Sequence, residues 1–107
     1  MQGTALRIYM HENRRHRGTL LYEWLLEQAK KMGIHGGSAF RAIAGYGRHG
    51  VLHEQHFFEL AGDVPVVVEF IVSADEARRL VELLQRENVH AFYTKSAIEF
   101  GTLNGGR

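Results

Sequence analysis

Apolar Leu6, Ile8 and Met10 alternate with Arg7, Tyr9 and His11, a period of two that predicts a half-buried strand over residues 5 to 11. The following Glu12-Asn-Arg14-Arg15-His16-Arg17-Gly18 reads as an exposed basic turn. From Leu21 the period changes: Leu21, Trp24, Leu25, Gln28 and Met32 follow helical spacing, with Thr19 placed as the N-cap. Lys30 and Lys31 suit the negative end of that helix, and Gly33 is placed to terminate it. Trp24 lies on the apolar stripe and is expected in the core.

Alternation returns after Gly36-Gly37. Residues 38 to 44 read as a second strand, with Phe40, Ala42 and Ala44 on one face and Ala39, Arg41 and Ile43 on the other. Arg41 is the charged exception, its stem packed and its head hydrated or paired. Val66-Val-Val-Glu69-Phe-Ile-Val72 is almost continuously apolar and β-branched, with Pro65 at its start, which predicts a central strand covered on both faces. Glu69 then either meets a cation, across a subunit contact for instance, or lies on a wet face. Ser73-Ala-Asp75-Glu76 is a capping box opening a second helix with the stripe Ala77, Leu80, Val81 and Leu84, ended at Asn88. A last strand over 91 to 100 places Phe92, Ile98 and Phe100 on one face, and 101 to 107 reads as a tail.

The resulting order, β-α-β-β-α-β, predicts an α+β, ferredoxin-like sandwich in one domain spanning 1 to 107, with about 5 to 100 ordered. Its four-stranded antiparallel sheet carries two helices on one face. The other face needs a cover, and self-association is the simplest one.

With no cysteine the chain has neither disulfides nor thiolate chemistry, and any zinc would need nitrogen and oxygen ligands. No apolar run approaches the roughly 20 residues needed to span a bilayer, and Met1-Gln-Gly-Thr-Ala-Leu-Arg lacks a signal-peptide core, so a cytoplasmic protein without membrane insertion is expected. Residues 1 to 56 carry eight Lys or Arg against four Asp or Glu, whereas 57 to 107 carry five against eight. Six of seven histidines also fall in the first half, so an anion site is expected to draw on that half.

The richest stretch for chemistry is Arg41-Ala-Ile-Ala-Gly45-Tyr46-Gly47-Arg48-His49-Gly50-Val-Leu-His53-Glu54-Gln55-His56. Three glycines within six residues allow the backbone to approach a ligand closely, and exposed amides can hold an anion. Tyr46 between two of them can stack on a base or plug the loop locally.

Gly45-Tyr46-Gly47-Arg48, with Asp63-Val-Pro65-Val-Val-Val-Glu69-Phe-Ile-Val72 some fifteen residues later, resembles the start of the T-loop and the strand after it in PII nitrogen-regulatory signalling proteins. Glu12, Gly18-Thr-Leu20-Leu-Tyr22, Arg41-Ala-Ile43-Ala-Gly45-Tyr46-Gly47, His53 and Val64-Pro65-Val-Val-Val-Glu69 are similar, in order and spacing, to the PII-like family called domain of unknown function 190. The resemblance covers nearly residues 5 to 100. It implies a trimer with ligand clefts between subunits, adenine-nucleotide binding there, and a loop over 45 to 62 that engages a protein partner such as a transporter or an enzyme.

By that resemblance Arg41, Gly45, Tyr46, Gly47, Arg48 and His49 are the nucleotide-binding candidates. The chain departs from PII proteins between its last helix and last strand, where Glu87-Asn88-Val-His90 replaces a glycine- and lysine-rich phosphate loop. The segment 48 to 62 has no tyrosine to be modified. Phosphate charge must therefore be met by Arg14, Arg15, Arg17, Arg41 or Arg48, which favours a ligand less charged than a triphosphate.

Other chemistry competes for the same residues. His49, His53 and His56, beside Glu54, could turn toward one cation in a metal-binding trimer, although their spacing matches no complete zinc signature. A structural interaction module without ligand is the third alternative. Catalysis is not expected: there is no Ser-His-Asp spacing and no Gly-Lys-Ser/Thr phosphate loop, and nothing in the spacing joins Arg41, His53 and Glu12 as an acid-base set. RNA binding on the sheet would need paired aromatics on the central strands, where Tyr9 and Phe70 stand without the accompanying basic-glycine-aromatic motif, so no nucleic-acid partner is expected.

Overall fold

The computed structural model describes residues 1–45 and 64–105. In chain order the elements are β1 (Gln2–His11), β2 (Arg15–His16), β3 (Thr19–Leu20), α1 (Leu21–Lys31), β4 (Gly37–Arg41), β5 (Pro65–Val72), α2 (Ala74–Arg86) and β6 (Phe92–Glu99). Four strands form one sheet in the order β4-β5-β1-β6, every neighbouring pair antiparallel. Hence β1 and β4 run the same way with β5 between them, and β5 and β6 run the same way with β1 between them. This is the ferredoxin-like α+β arrangement expected from the order of elements.

Register follows from the two-residue period. Leu6 lies opposite Phe70 and Ile8 opposite Val68, so the apolar sets of β1 and β5 share the helix-covered face. Against them pack Leu21, Trp24, Leu25 and Ala29 of α1 and Ala77, Leu80, Leu83 and Leu84 of α2. Ala29 takes the inward position assigned to Gln28, and Leu83 joins the α2 stripe, in which Val81 is partly buried against the core. Each fully buried leucine, isoleucine or phenylalanine contributes about 1.5–3 kcal/mol through removal of apolar surface from water.

Both helices end in Schellman motifs. In α1 the Ile34 N–H bonds the Ala29 carbonyl and the Gly33 N–H bonds that of Lys30, with Gly33 at φ 87°. In α2 Val89 bonds Leu84 and Asn88 bonds Gln85, with Asn88 at φ 58°. The expected capping box is present: Ser73 accepts from the Glu76 N–H at 3.0 Å, and the Ser73 N–H bonds the Glu76 carboxylate at 3.0 Å.

Three expectations need correction. Thr19 does not cap α1. Its hydroxyl donates to the His16 carbonyl at 3.2 Å inside a β2-β3 hairpin, and Leu20 is the cap position, without a side-chain bond. Arg17 and Gly18 at that hairpin's tip have φ of 52° and 82°, the pair of left-handed conformations that a type I′ turn requires. The second strand ends at Arg41 rather than 44. Its last bond runs from the Ala42 N–H to the carbonyl of Pro65, a residue with no N–H to return.

The third correction concerns β5, which is central but covered on one face only. Val66, Val68, Phe70 and Val72 are buried, whereas Val67 and Glu69 are half-buried and Ile71 is exposed. The uncovered face carries a row of apolar residues across all four strands: Phe40 opposite Val67, Val67 opposite Tyr9, and Tyr9 opposite Phe92. The Tyr9 and Phe92 rings are 5.3 Å apart between centroids. Phe40 and Phe92 are 54% and 44% exposed, a large apolar area to leave in water.

Candidate functional site

Two stems lead to the stretch 46–63 and set the geometry of the candidate site: the end of β4 through Arg41 and the start of β5 at Pro65. Three backbone and side-chain ties fasten this neck. The Glu12 N–H, just past β1, bonds the Val64 carbonyl at 2.8 Å, and the Ala42 N–H bonds the Pro65 carbonyl at 2.8 Å. The Arg41 guanidinium bonds the Glu12 carboxylate through both Nε, at 3.1 Å to Oε2, and Nη2.

Strand period explains this meeting. Glu12 continues the Leu6, Ile8, Met10 face of β1, and Arg41 lies opposite Val66, which in turn faces Met10. The two side chains therefore project on the helix side and bridge over the start of β5. Tyr22, in the first turn of α1, is partly buried against the core. The hydrogen bond and the charge of Glu12 raise the Arg41 pKa further above its ordinary value, with a smaller contribution from Tyr22. The Arg41 side chain stays 66% exposed, whereas that of Glu12 is 17% exposed.

Of the nucleotide-binding candidates, Arg41 and Gly45 are thus at the neck. Gly45 is half-buried, and a Cβ there would touch Pro65 Cγ at 3.4 Å, an ordinary contact. Tyr46, Gly47, Arg48 and His49 lie outside the described residues, as do His53 and His56 of the metal alternative. Among the described residues no group of three or more His, Cys, Asp or Glu could hold a metal ion. Glu12 and Tyr22 were not named as site residues from sequence, although both stood in the motif that carried the family resemblance.

Among the described residues, the other arginines of the basic half are already engaged. Arg17 makes two bonds to the Glu87 carboxylate, 2.7 and 3.2 Å, and His16 Nε2 lies 2.8 Å from the same group. Arg17 first and His16 second hold the Glu87 pKa down at about 2. The His16 ring also meets Trp24 edge-on, 4.4 Å between centroids, and Trp24 is core as expected. Arg14 donates to the His90 carbonyl and Arg15 to that of Gly18. The hairpin is therefore fastened to the end of α2, and its arginines are not gathered around the neck.

Phe70 is 1% exposed beneath the helices. Its ring is unavailable to a base on the uncovered face, where the two central strands β1 and β5 present Tyr9 alone rather than a pair of aromatics. Two shallow grooves, one lined by Thr4, Ala77 and Lys95 and the other by Leu26, Ile34 and Gly37, lie away from the neck.

A duplicated split β-α-β sheet with a long segment between its two middle strands is the fold class of the PII-like proteins. Consistent with that class, a crystal structure of a Thermus thermophilus protein, proposed to be a PII-like signalling protein, superposes with a TM-score of 0.57 at 22% identity, covering 92% of this chain and 86% of that one. The chain belongs to the family DUF190, described as "Uncharacterized ACR, COG1993", whose profile matches residues 3–100. It is 36% identical over 96 residues to a UPF0166 protein of Aquifex aeolicus, covering 82% of this chain and 91% of that protein. A UPF0166 protein of Methanocaldococcus jannaschii is 32% identical over 84 residues, covering 78% of this chain and 77% of its own. Among the described residues no helix is long and apolar enough to cross a membrane.

Proposed function

We propose that this protein is a cytoplasmic PII-like regulator that binds a small anionic effector, an adenine nucleotide, at clefts between subunits and acts on a protein partner through residues 45–62. The observation that carries this reading is the meeting of Glu12 and Arg41, which come from two separate stretches of the family motif, at the neck of that segment. Arginine presents a planar fork suited to phosphate, and the neck is where the glycine-aromatic-glycine-arginine sequence begins.

The uncovered apolar row supports self-association, and a trimer would bring one subunit's neck beside its neighbour's surface. The role proposed is regulatory rather than catalytic: the charges of Arg41 and Glu12 at the neck are committed to one another.

Calorimetric titration with AMP, ADP, ATP and cyclic AMP, paired with sedimentation equilibrium, tests the proposal. Binding of one nucleotide per subunit to a trimer is expected. Arg48→Ala should weaken that binding by about 1.5–3 kcal/mol, the range for a hydrogen bond to a charged group. A monomer that binds none of the four ligands would instead be a structural module, and the proposal would fall.

A further inference from the structure

The pairing of Arg41 with Glu12 bears on how an effector would gain access to the neck, given the reading above that an anion binds there. Arginine recognises phosphate and carboxylate groups with the fork formed by neighbouring guanidinium nitrogens. Here Nε and Nη2 of Arg41 both converge on one oxygen, Oε2, of Glu12. That edge of the fork is filled from within the chain. The guanidinium nonetheless faces solvent, 66% exposed, above a carboxylate that is only 17% exposed.

From this geometry we infer that Glu12 is a built-in competitor for the effector: its carboxylate occupies the edge of Arg41 that an effector's phosphate would use. Binding then exchanges an internal ion pair for an external one. Glu12 works against that exchange in two ways. It neutralises the positive charge that would attract the anion, and it loses its cation once the anion takes Arg41. Both effects lower affinity, so the protein responds only where the effector is abundant.

The exchange also has a mechanical side. Arg41 belongs to β4 and Glu12 follows β1, with the start of β5 between them. The pair is a strap over the neck, and an anion that draws Arg41 to itself undoes it. The neighbouring bonds from Glu12 N–H to Val64 and from Ala42 N–H to Pro65 are backbone bonds that need not break. Occupancy is thereby converted into one discrete change, the loss of a single side-chain tie.

The test is calorimetric titration of ADP, ATP and inorganic pyrophosphate into the wild type, Glu12→Gln, Arg41→Ala and the double variant. Glutamine keeps an acceptor oxygen in nearly the same volume while removing the charge. Glu12→Gln is expected to bind about tenfold tighter than the wild type, and Arg41→Ala in the same chain should erase the gain. A wild type that binds none of the probes while Glu12→Gln binds them supports the inference, since the mask alone was hiding the site.

A wild type that binds, with Glu12→Gln binding equally or more weakly, overturns the competitor role and leaves the anion reading intact. Failure of both proteins to bind any probe overturns the anion reading and the inference with it. If Glu12→Gln does not fold, the Arg41 Nε–H resonance of the wild type, assigned by its loss in Arg41→Lys, serves instead. It should shift as ADP saturates the protein, and an unmoved resonance at saturation counts against the exchange.

Discussion

Arg7 and Glu69 lie directly opposite each other on the uncovered face of the sheet, Nε to Oε2 at 2.7 Å, with the Tyr9–Val67 pair on one side and the Ala5–Ile71 pair on the other. Both outcomes open for Glu69 from sequence hold: its face is the uncovered one, and it meets a cation supplied by its own chain. A half-exposed pair of this kind contributes little in water, about 0–1 kcal/mol. Buried under a second copy, the same pair would be costly to break, because one partner would be left charged and unmatched.

That contrast makes the pair a probe of association. Arg7→Leu alone should weaken assembly strongly, because Glu69 would be carried into the contact without its cation. Arg7→Leu with Glu69→Leu should restore assembly. Sedimentation equilibrium over a concentration series reads both variants. Equal association by the single and double variants would mean that this face stays in water.

Gly37 carries a second prediction. It lies opposite Phe70, and a Cβ at this position would stand 2.5 Å from Phe70 Cε1 and 3.0 Å from Leu26 Cδ2. Phe70 is 1% exposed and closely surrounded, so its ring has little room to retreat. Gly37→Ala should cost about 1–3 kcal/mol by overpacking. Urea denaturation with an unchanged slope and a lowered midpoint is the expected result.

Acid should loosen the hairpin from α2. The Glu87 carboxylate, held at about 2 by its bonds from Arg17 and His16, is depressed from its ordinary value of 4.5. A carboxylate depressed in the folded state contributes stability that is fully present above its unfolded pKa and is lost as pH falls through the folded one. The loss here falls between about 4.5 and about 2. Asp75, depressed by Arg78, acts in the same direction, so Glu87→Gln should reduce the acid-side fall in melting temperature without abolishing it. A profile identical to that of the wild type would show that the Glu87 contacts add nothing to stability.

What the sequence could reveal depended on how far apart the interacting residues stand. Alternation at Leu6, Ile8 and Met10 and the Ser73–Glu76 box are local, and they located β1 and the start of α2. Residues Arg17 and Gly18 adopt a hairpin turn whose first residue carries a side chain in the left-handed region, and Arg17 is anchored on Glu87, 70 residues along the chain. No local pattern reports that contact.

Similarly, the run from Val66 to Val72 has no polar alternation to show that one of its faces would be left bare. Glu12 and Arg41 were both visible as members of a motif. Their contact was not, because it depends on two strands being separated by a third.

The two helix starts give a final prediction, since the same kind of residue was expected to cap both. Ser73 bonds the Glu76 N–H at 3.0 Å, and replacing a serine cap by alanine costs roughly 1 kcal/mol. The Thr19 hydroxyl reaches only the His16 carbonyl of an exposed hairpin, at 3.2 Å, and caps no helical N–H. At the start of α1 the Leu21 N–H is satisfied instead by the Arg14 backbone, which a side-chain change at 19 leaves in place. Ser73→Ala should therefore lower stability by about 1 kcal/mol and Thr19→Ala by less than about half of that, both read by urea denaturation. Equal losses would mean that Thr19 holds the hairpin, and through it the first turn of α1, as firmly as a direct cap would.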